Sequence, residues 1–473
     1  MSRPSEPSSH RHRLLRVTNW RRALIVAAAA VFLTGASTFA AAMALTSNDA
    51  AAPPGDATTA EDAASASGTS STDAGELASE APTDGRAPST PQQAGECDRP
   101  VSASPEVAIT QVDTGTGVAG YGGEGDTDPL PMAIAARPGG SWLAWLGDGQ
   151  VHLAKLDCDD EIEGGVIDLE GIDLQDVSAD ENGVVVLVTR EGSCGDGPLC
   201  GGESSPCNTM HMVRFDNGGD QVWQRQVTNL GDGLEGYDDG ARFVWWYQHH
   251  GRLATDGSNY AAYFGVAITV ANGGCVDIHE GDRMQVVDAD GNLVDHQDSF
   301  AVGCSHSWTA RIAWNADADE FGMVCATDNE CRIAQPAYET VAAGTCDGTL
   351  FGGDLVASGG GYWTAWSQGG AVRLEHFDDG PSDSTVDTGV DSAHPHLVNY
   401  GDDHMLLAWE SGSSIKARVY TSGGGDAVGD AFGIDVPDHN YQAFKAFEDG
   451  SVAYAASGGD GAIQIARVMP ISG

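Results

Sequence analysis

The stretch Tyr362-Trp-Thr-Ala-Trp366, followed by Val372-Arg-Leu-Glu-His-Phe-Asp378, decides the architecture of this chain. Each run alternates its side chains between two faces, and a Gly/Ser/Asp turn joins the runs, as a half-buried antiparallel pair requires. The pattern returns as His404-Met-Leu-Leu-Ala-Trp409 with Ile415-Lys-Ala-Arg-Val-Tyr420. It stands earlier as Ser141-Trp-Leu-Ala-Trp145 with Val151-His-Leu-Ala-Lys-Leu-Asp157. A decayed copy, Ser451-Val-Ala-Tyr-Ala-Ala456 with Ile463-Gln-Ile-Ala-Arg-Val468, comes last. Trp366 and Trp409 lie 43 residues apart, a period that means stacked four-stranded units. The chain is all-β and reads as a β-propeller.

Working outward from the clear copies gives seven innermost strands, near 132–136, 176–179, 251–254, 310–314, 353–357, 396–400 and 443–447. Second strands follow at 142–145, 184–189, 260–265, 321–325, 362–366, 405–410 and 452–456. The last copy runs out after its third strand, at Val468, and Val107-Ala-Ile-Thr-Gln-Val-Asp113 can supply the missing fourth. Closing the ring with strands from both ends removes an exposed sheet edge. Seven blades is the expectation; one misread insertion would make six or eight.

The copies at 362–378 and 404–420 resemble the repeats of secreted bacterial propellers whose units read Y-L-V-V-W, turn, I-x-x-x-R-V-D. The resemblance is fair at 141–157 and poor between 190 and 350. It implies architecture and an envelope location, and it carries no catalytic residue across. Phe215-Asp-Asn-Gly-Gly-Asp-Gln-Val-Trp223 also resembles a turn of quinoprotein-type blades, but it occurs once and is read as one hairpin.

The first 96 residues lie outside the repeats. A basic segment, 1–22, precedes the uncharged run 23–45, the pattern of a signal peptide or membrane anchor whose basic side stays in the cytoplasm. Residues 46–96 are Ala, Ser, Thr, Asp, Gly and Pro with almost no large apolar side chain, so they are expected to be a disordered linker. All ten cysteines fall from Cys97 onward, in the propeller domain 97–473, which fits disulfides in an oxidising compartment. The chain is therefore expected to be exported, either anchored in the cell envelope facing outward or secreted, and to touch a membrane only through 23–45. Its net charge of −46, with three lysines, excludes nucleic acid as a partner. A monomeric propeller is expected.

Function is expected where the chain departs from its own repeat. The long departures are 191–209, 229–250, 268–282 and 297–308, each joining second to third strands or one blade to the next. Connections of both kinds leave the same face of a propeller. The candidate ligand-binding residues are Trp245, Trp246, Tyr247, His249, His250, His279, Glu280, His306, His394 and His439. Imidazole ligates metals and exchanges protons near neutral pH, while Trp and Tyr offer stacking area with a polar tip. His250, His306, His394 and His439 each stand at the entrance to an innermost strand, positions that converge on the channel mouth. For the histidines the competing reading is a strand cap or a backbone hydrogen bond; for the aromatic run it is rings folded onto their own blade.

Asp288-Ala-Asp-Gly-Asn292 lacks the sixth-position Gly and twelfth-position Glu of a calcium loop and is read as a hairpin turn. No G-x-S-x-G elbow, H-E-x-x-H helix or sialidase-type aspartate box is present, and His279-Glu280 lacks a second His. The chain is accordingly read as a propeller that binds a glycan or protein through the irregular face over blades two to four. The alternative is a His-centred hydrolase or lyase on that face. No cofactor is expected, and a divalent metal belongs to the alternative. Cys275 is expected to pair with Cys304, joining two insertions, and Cys325 with Cys331 across one hairpin.

Overall fold

The computed structural model describes residues 97–119, 130–193, 197–202, 207–228, 242–244, 251–294, 307–327, 330–336, 339–378, 380–439, 441–459 and 461–472. Within them lie seven four-stranded sheets, and the chain is a seven-bladed β-propeller. Blade one runs outward through Met132–Arg137, Gly140–Gly147, Gln150–Leu156 and Ile162–Leu169. Blades two, five and six repeat that order, beginning at Asp173–Asp180, Leu350–Ser358 and Pro395–Asn399. Blade four begins at Ser307–Asn315 and blade seven at the short Lys445–Ala446.

Second strands are apolar on both sides because each blade packs against two neighbours. Gly140–Gly147 and Gly183–Arg190 are buried at every position. Such strands read as continuous apolar runs, with the alternation of a one-sided sheet suppressed. The core is therefore a series of inter-blade seams. Trp142 and Leu153 of blade one pack on Val186 and Val213 of blade two, and Trp363 and Leu374 of blade five pack on Leu407 and Tyr420 of blade six.

The ring closes as the sequence implies. Val107–Val112 pairs antiparallel with Ala462–Val468, from Val107 opposite Val468 to Val112 opposite Ile463, and becomes the outermost strand of blade seven. Cys97 is bonded to Cys158 in the third-to-fourth turn of blade one. Arg99 lies 2.9 Å from Asp449, and the buried Arg467 of blade seven reaches Asp160 of blade one at 2.5 Å.

Blade three departs from expectation. Residues 268–282, expected as an inserted loop, are the far half of a hairpin whose strands, Asn259–Asn272 and Cys275–Asp288, each run 14 residues. They turn on Gly273 and Gly274, whose φ values of +58° and +109° disfavour a side chain. Among the described residues the outermost position of this blade is held by a bridge, Val287 with Leu293, while Arg242–Val244 pairs onto the extended half of the second strand.

Both expected disulfides are corrected. Cys275 is bonded to Cys200, at a Cα separation of 5.1 Å, and not to Cys304. It stands at the hairpin tip, where Leu199 bridges Val276 and the Val276 N–H donates to Pro198 O, so the blade-two insertion is its neighbour. Cys331 is bonded to Cys346, and not to Cys325. In the hairpin register Cys325 faces Ala334, so Cys331 lies beyond the rung that a cross-strand bridge would need. Cys207 and Cys325 are disulfide-bonded as well, and no described cysteine is free.

Two outcomes follow from the seam. Asp160→Ala strands the Arg467 guanidinium, whose side chain is 1% exposed, and is expected to destabilise the fold by about 3–5 kcal/mol in urea titration. Peptide mapping under non-reducing conditions is expected to recover Cys97–Cys158, Cys200–Cys275 and Cys331–Cys346 as linked pairs.

Candidate functional site

Strand direction alternates from the channel outward, so second-to-third turns and blade-to-blade connections leave one face. Two of the four insertions meet there: the blade-two segment at Cys200 is bonded to the tip of the blade-three hairpin. On that hairpin His279 stands opposite Ile268 and Glu280 opposite Ala267. Trp245, Trp246, Tyr247, His249, His250 and His306 lie outside the described residues. His394 and His439 are described. Each is next to or near the start of its innermost strand, and both join one polar cluster at the channel.

That cluster is built from the innermost strands themselves. Blades two to six contribute Asp176, Arg252, Arg311, Asp354 and His396, all buried, and blade seven contributes Lys445. Lys445 lies 2.7 Å from Asp176. Asp354 takes three cations at once, with Arg311 at 3.0 Å, Arg252 at 3.4 Å and the His396 Nδ1 at 3.4 Å. On its other side the His396 Nε2 lies 3.0 Å from Asp438, in the connection to blade seven. An imidazole ring with a carboxylate on each nitrogen is held as a doubly donating cation.

The titration of these groups follows from their neighbours. Burial would lower the His396 pKa, but Asp438 and Asp354 outweigh it and raise it to about 9. Burial pushes the Asp354 carboxyl up, and Arg252, His396 and Arg311 overcome that push and hold it well below the carboxylate range. Asp438 is lowered in the same way, burial opposing and His396 prevailing. His394 and His439 go the other way, to about 4 and about 3, chiefly because burial disfavours the charged ring. The His439 Nδ1 accepts the Tyr441 N–H, which places the proton of its neutral ring on Nε2. Phe351 completes the wall, 4.4 Å from the His394 ring and 6.2 Å from that of Tyr441.

His394 and His439 both lie within the field of Asp438 and His396, members of a charged belt that the sequence reading missed. Its signal was present: a charged or His residue stands in the otherwise apolar innermost strands of blades three to six, as in Leu350-Phe-Gly-Gly-Asp-Leu-Val356. His396 has both nitrogens engaged, so it neither takes a proton nor ligates a metal.

The opposite face is scaffold. Asp288 accepts the N–H groups of Asp290 and Asn292 on one carboxylate oxygen, as the hairpin-turn reading requires. Asp157 does the same with the N–H groups of Asp159 and Glu161, and Asp216 accepts the Asp220 N–H. Turns of this face are latched to neighbouring blades: the Trp223 indole N–H donates to Ala289 O, Lys155 to Asn217 O, and the Trp363 indole N–H to Ser422 O. Among the described residues, His376, Asp378 and Asp383 place three ligand atoms within 4.8 Å of one another, the one grouping with metal-binding spacing. His376 occupies the third-strand slot that holds Lys155, Arg214 and Arg467 in other blades, and its Nδ1 pairs with Asp383 at 2.7 Å.

No family of known sequences matches the chain, and no curated protein matches it. Solved propellers are similar in fold. The WD40 domain of Toxoplasma gondii coronin is 13% identical at a TM-score of 0.44, over 79% of this chain and 88% of that one. The Myceliophteria thermophila Cps50 (Swd1) propeller domain is 10% identical at 0.41, over 76% and 99%. A protein of unknown function from Dyadobacter fermentans is 11% identical at 0.40, over 77% and 98%.

The channel network makes stability depend on pH in a stated direction. The His396 contribution is complete below its unfolded value of 6.5 and lost progressively as pH rises to about 9. His394 and His439 act oppositely. The unfolded chain takes up their protons below 6.5, whereas the folded chain does not until about 4 and about 3, so stability falls as pH drops. The combined contribution of these three histidines to stability is therefore greatest near pH 6.5. Thermal melts of His396→Gln should show a flattened alkaline limb and a retained acid limb.

Proposed function

We propose that the protein is a binding propeller, exported and held at or released from the cell envelope, that engages a glycan or protein ligand through the irregular face over blades two to four. The observation that carries the reading is the Cys200–Cys275 bond, which fastens an insertion of blade two to the overlong hairpin of blade three. A covalent staple between two surface segments removes conformational freedom that would otherwise be lost on binding. On the opposite face, turns are latched to neighbouring blades by side-chain hydrogen bonds. The disulfides support an oxidising location, with the basic segment and apolar run of 1–45 as the export signal. A propeller presents a broad rigid surface, and the candidate residues Trp245, Trp246, Tyr247, His249, His250, His279, Glu280 and His306 lie on its insertions in sequence.

The test combines retention with stability. The full chain is expected to bind members of an immobilised glycan panel without hydrolysing them. His250→Ala with His306→Ala is expected to abolish that retention while changing stability by less than about 0.5 kcal/mol, as replacements outside packed seams do. A large fall in melting temperature would make both residues structural caps and remove them from the site.

A further inference from the structure

The third-to-fourth turn of blade five breaks the pattern of its face. His376, Asp378 and Asp383 each bring one ligand atom, and the three atoms lie within 4.8 Å of one another. Ligand atoms around a shared ion stand at most two bond lengths apart, about 4.2 Å for zinc bonds of about 2.0–2.2 Å to nitrogen and oxygen. Small side-chain rotations bring the three to that spacing.

Two changes in the repeated turn release these groups. Third strands end as Lys155-Leu-Asp157 in blade one, Arg214-Phe-Asp216 in blade two and His376-Phe-Asp378 in blade five. Asp157 and Asp216 each spend a carboxylate oxygen on the N–H group four residues on. In blade five that N–H belongs to Ser382 and donates instead to Val341 O of blade four. The exposed Asp378 carboxylate accepts no hydrogen bond among the described residues. The slot that holds a cation in blades one and two holds an imidazole here, and Asp383 pairs with that ring.

The frame around the three is fixed. The His376 ring lies 5.1 Å from that of the buried Trp363. Gln335 Nε2 donates to Gly380 O, and the Ser382 hydroxyl donates to Glu375 Oε2. A Cβ at position 361 would stand 2.1 Å from Asp378 Oδ1 and 3.1 Å from His376 Cε1. Gly361 therefore lets the carboxylate and the imidazole edge share one hollow over its backbone.

The donor set selects the ion. One imidazole and two carboxylates suit zinc and its first-row neighbours; calcium and magnesium favour all-oxygen sites, and soft copper(I) favours sulfur. Three protein ligands leave the remaining positions to water. We propose that His376, Asp378 and Asp383 bind a divalent first-row transition ion, such as zinc, in the blade-five turn. The site lies on the face opposite the irregular one and does not depend on the glycan or protein reading of that face.

The experiment is calorimetric titration of the full chain with zinc in excess magnesium, which occupies the diffuse field of a chain of net charge −46. One equivalent of zinc is expected to bind in spite of the magnesium and to raise the melting temperature. His376→Lys installs the blade-one residue, and Asp378→Asn keeps the shape of an exposed side chain. Each should weaken zinc binding about tenfold or more, with the melting temperature of the zinc-free protein nearly unchanged. If His376→Lys fails to fold, Asp378→Asn decides alone. The absence of magnesium-resistant zinc binding overturns the proposal, and so does binding that is unchanged in either folded variant. His250→Ala with His306→Ala should leave zinc binding intact; its loss there would move the ion to the irregular face and overturn this assignment.

Discussion

The whole molecule depends on the pairing of Val107–Val112 with Ala462–Val468. Each seam of the core is shared by two blades, so a blade without a neighbour would expose an apolar face to water. A ring has no terminal blade only if it closes, and backbone pairing between the two ends of the domain closes it. The surrounding groups reinforce that joint: the Arg467–Asp160 pair and the Cys97–Cys158 bond both link blade seven or the N-terminal segment to blade one. The charged belt is a consequence of closure. Lys445 and Asp176 come from opposite ends of the domain sequence and meet only because the ring brings blade seven round to blade two.

The belt also separates two kinds of electrostatics in one chain. The surface carries the excess of carboxylates, which water solvates. In the channel, by contrast, Arg252, Arg311 and His396 outnumber the Asp354 and Asp438 carboxylates they face. Few cations occur in the sequence, and several of them are placed where burial makes charge pairing strong. A buried network of this kind is costly when incomplete.

The repeat was legible because propeller strands are short, tryptophan-marked and separated by Gly/Asp turns, so the innermost and second strands could be located to within a few residues. Blade three was not. Val266-Ala-Ile-Thr-Val270 and the turn Asn272-Gly-Gly274 carry a hairpin signal, but its length exceeds that of the other blades and it was read as an insertion. The disulfides were unreadable because pairing depends on which loops lie side by side, and Cys200 and Cys275 are 75 residues apart. The belt escaped because one charge per strand looks like a strand end until the ring aligns the strands. His394 and His439 were singled out by their position, while their neighbour Asp438 was passed over as one more acid in an acidic chain.

The Cys97–Cys158 bond gives the closing strand a mechanical shelter. Val107–Val112 lies inside the covalent loop that this bond completes. Tension arriving along the chain from the N-terminal side reaches Cys97 first and passes across the sulfurs to the turn of blade one. It bypasses the six-residue strand, whose hydrogen bonds could otherwise be peeled one rung at a time. A domain attached by its N-terminal side could then be pulled by a bound partner and transmit the load through a covalent bond, leaving the ring shut.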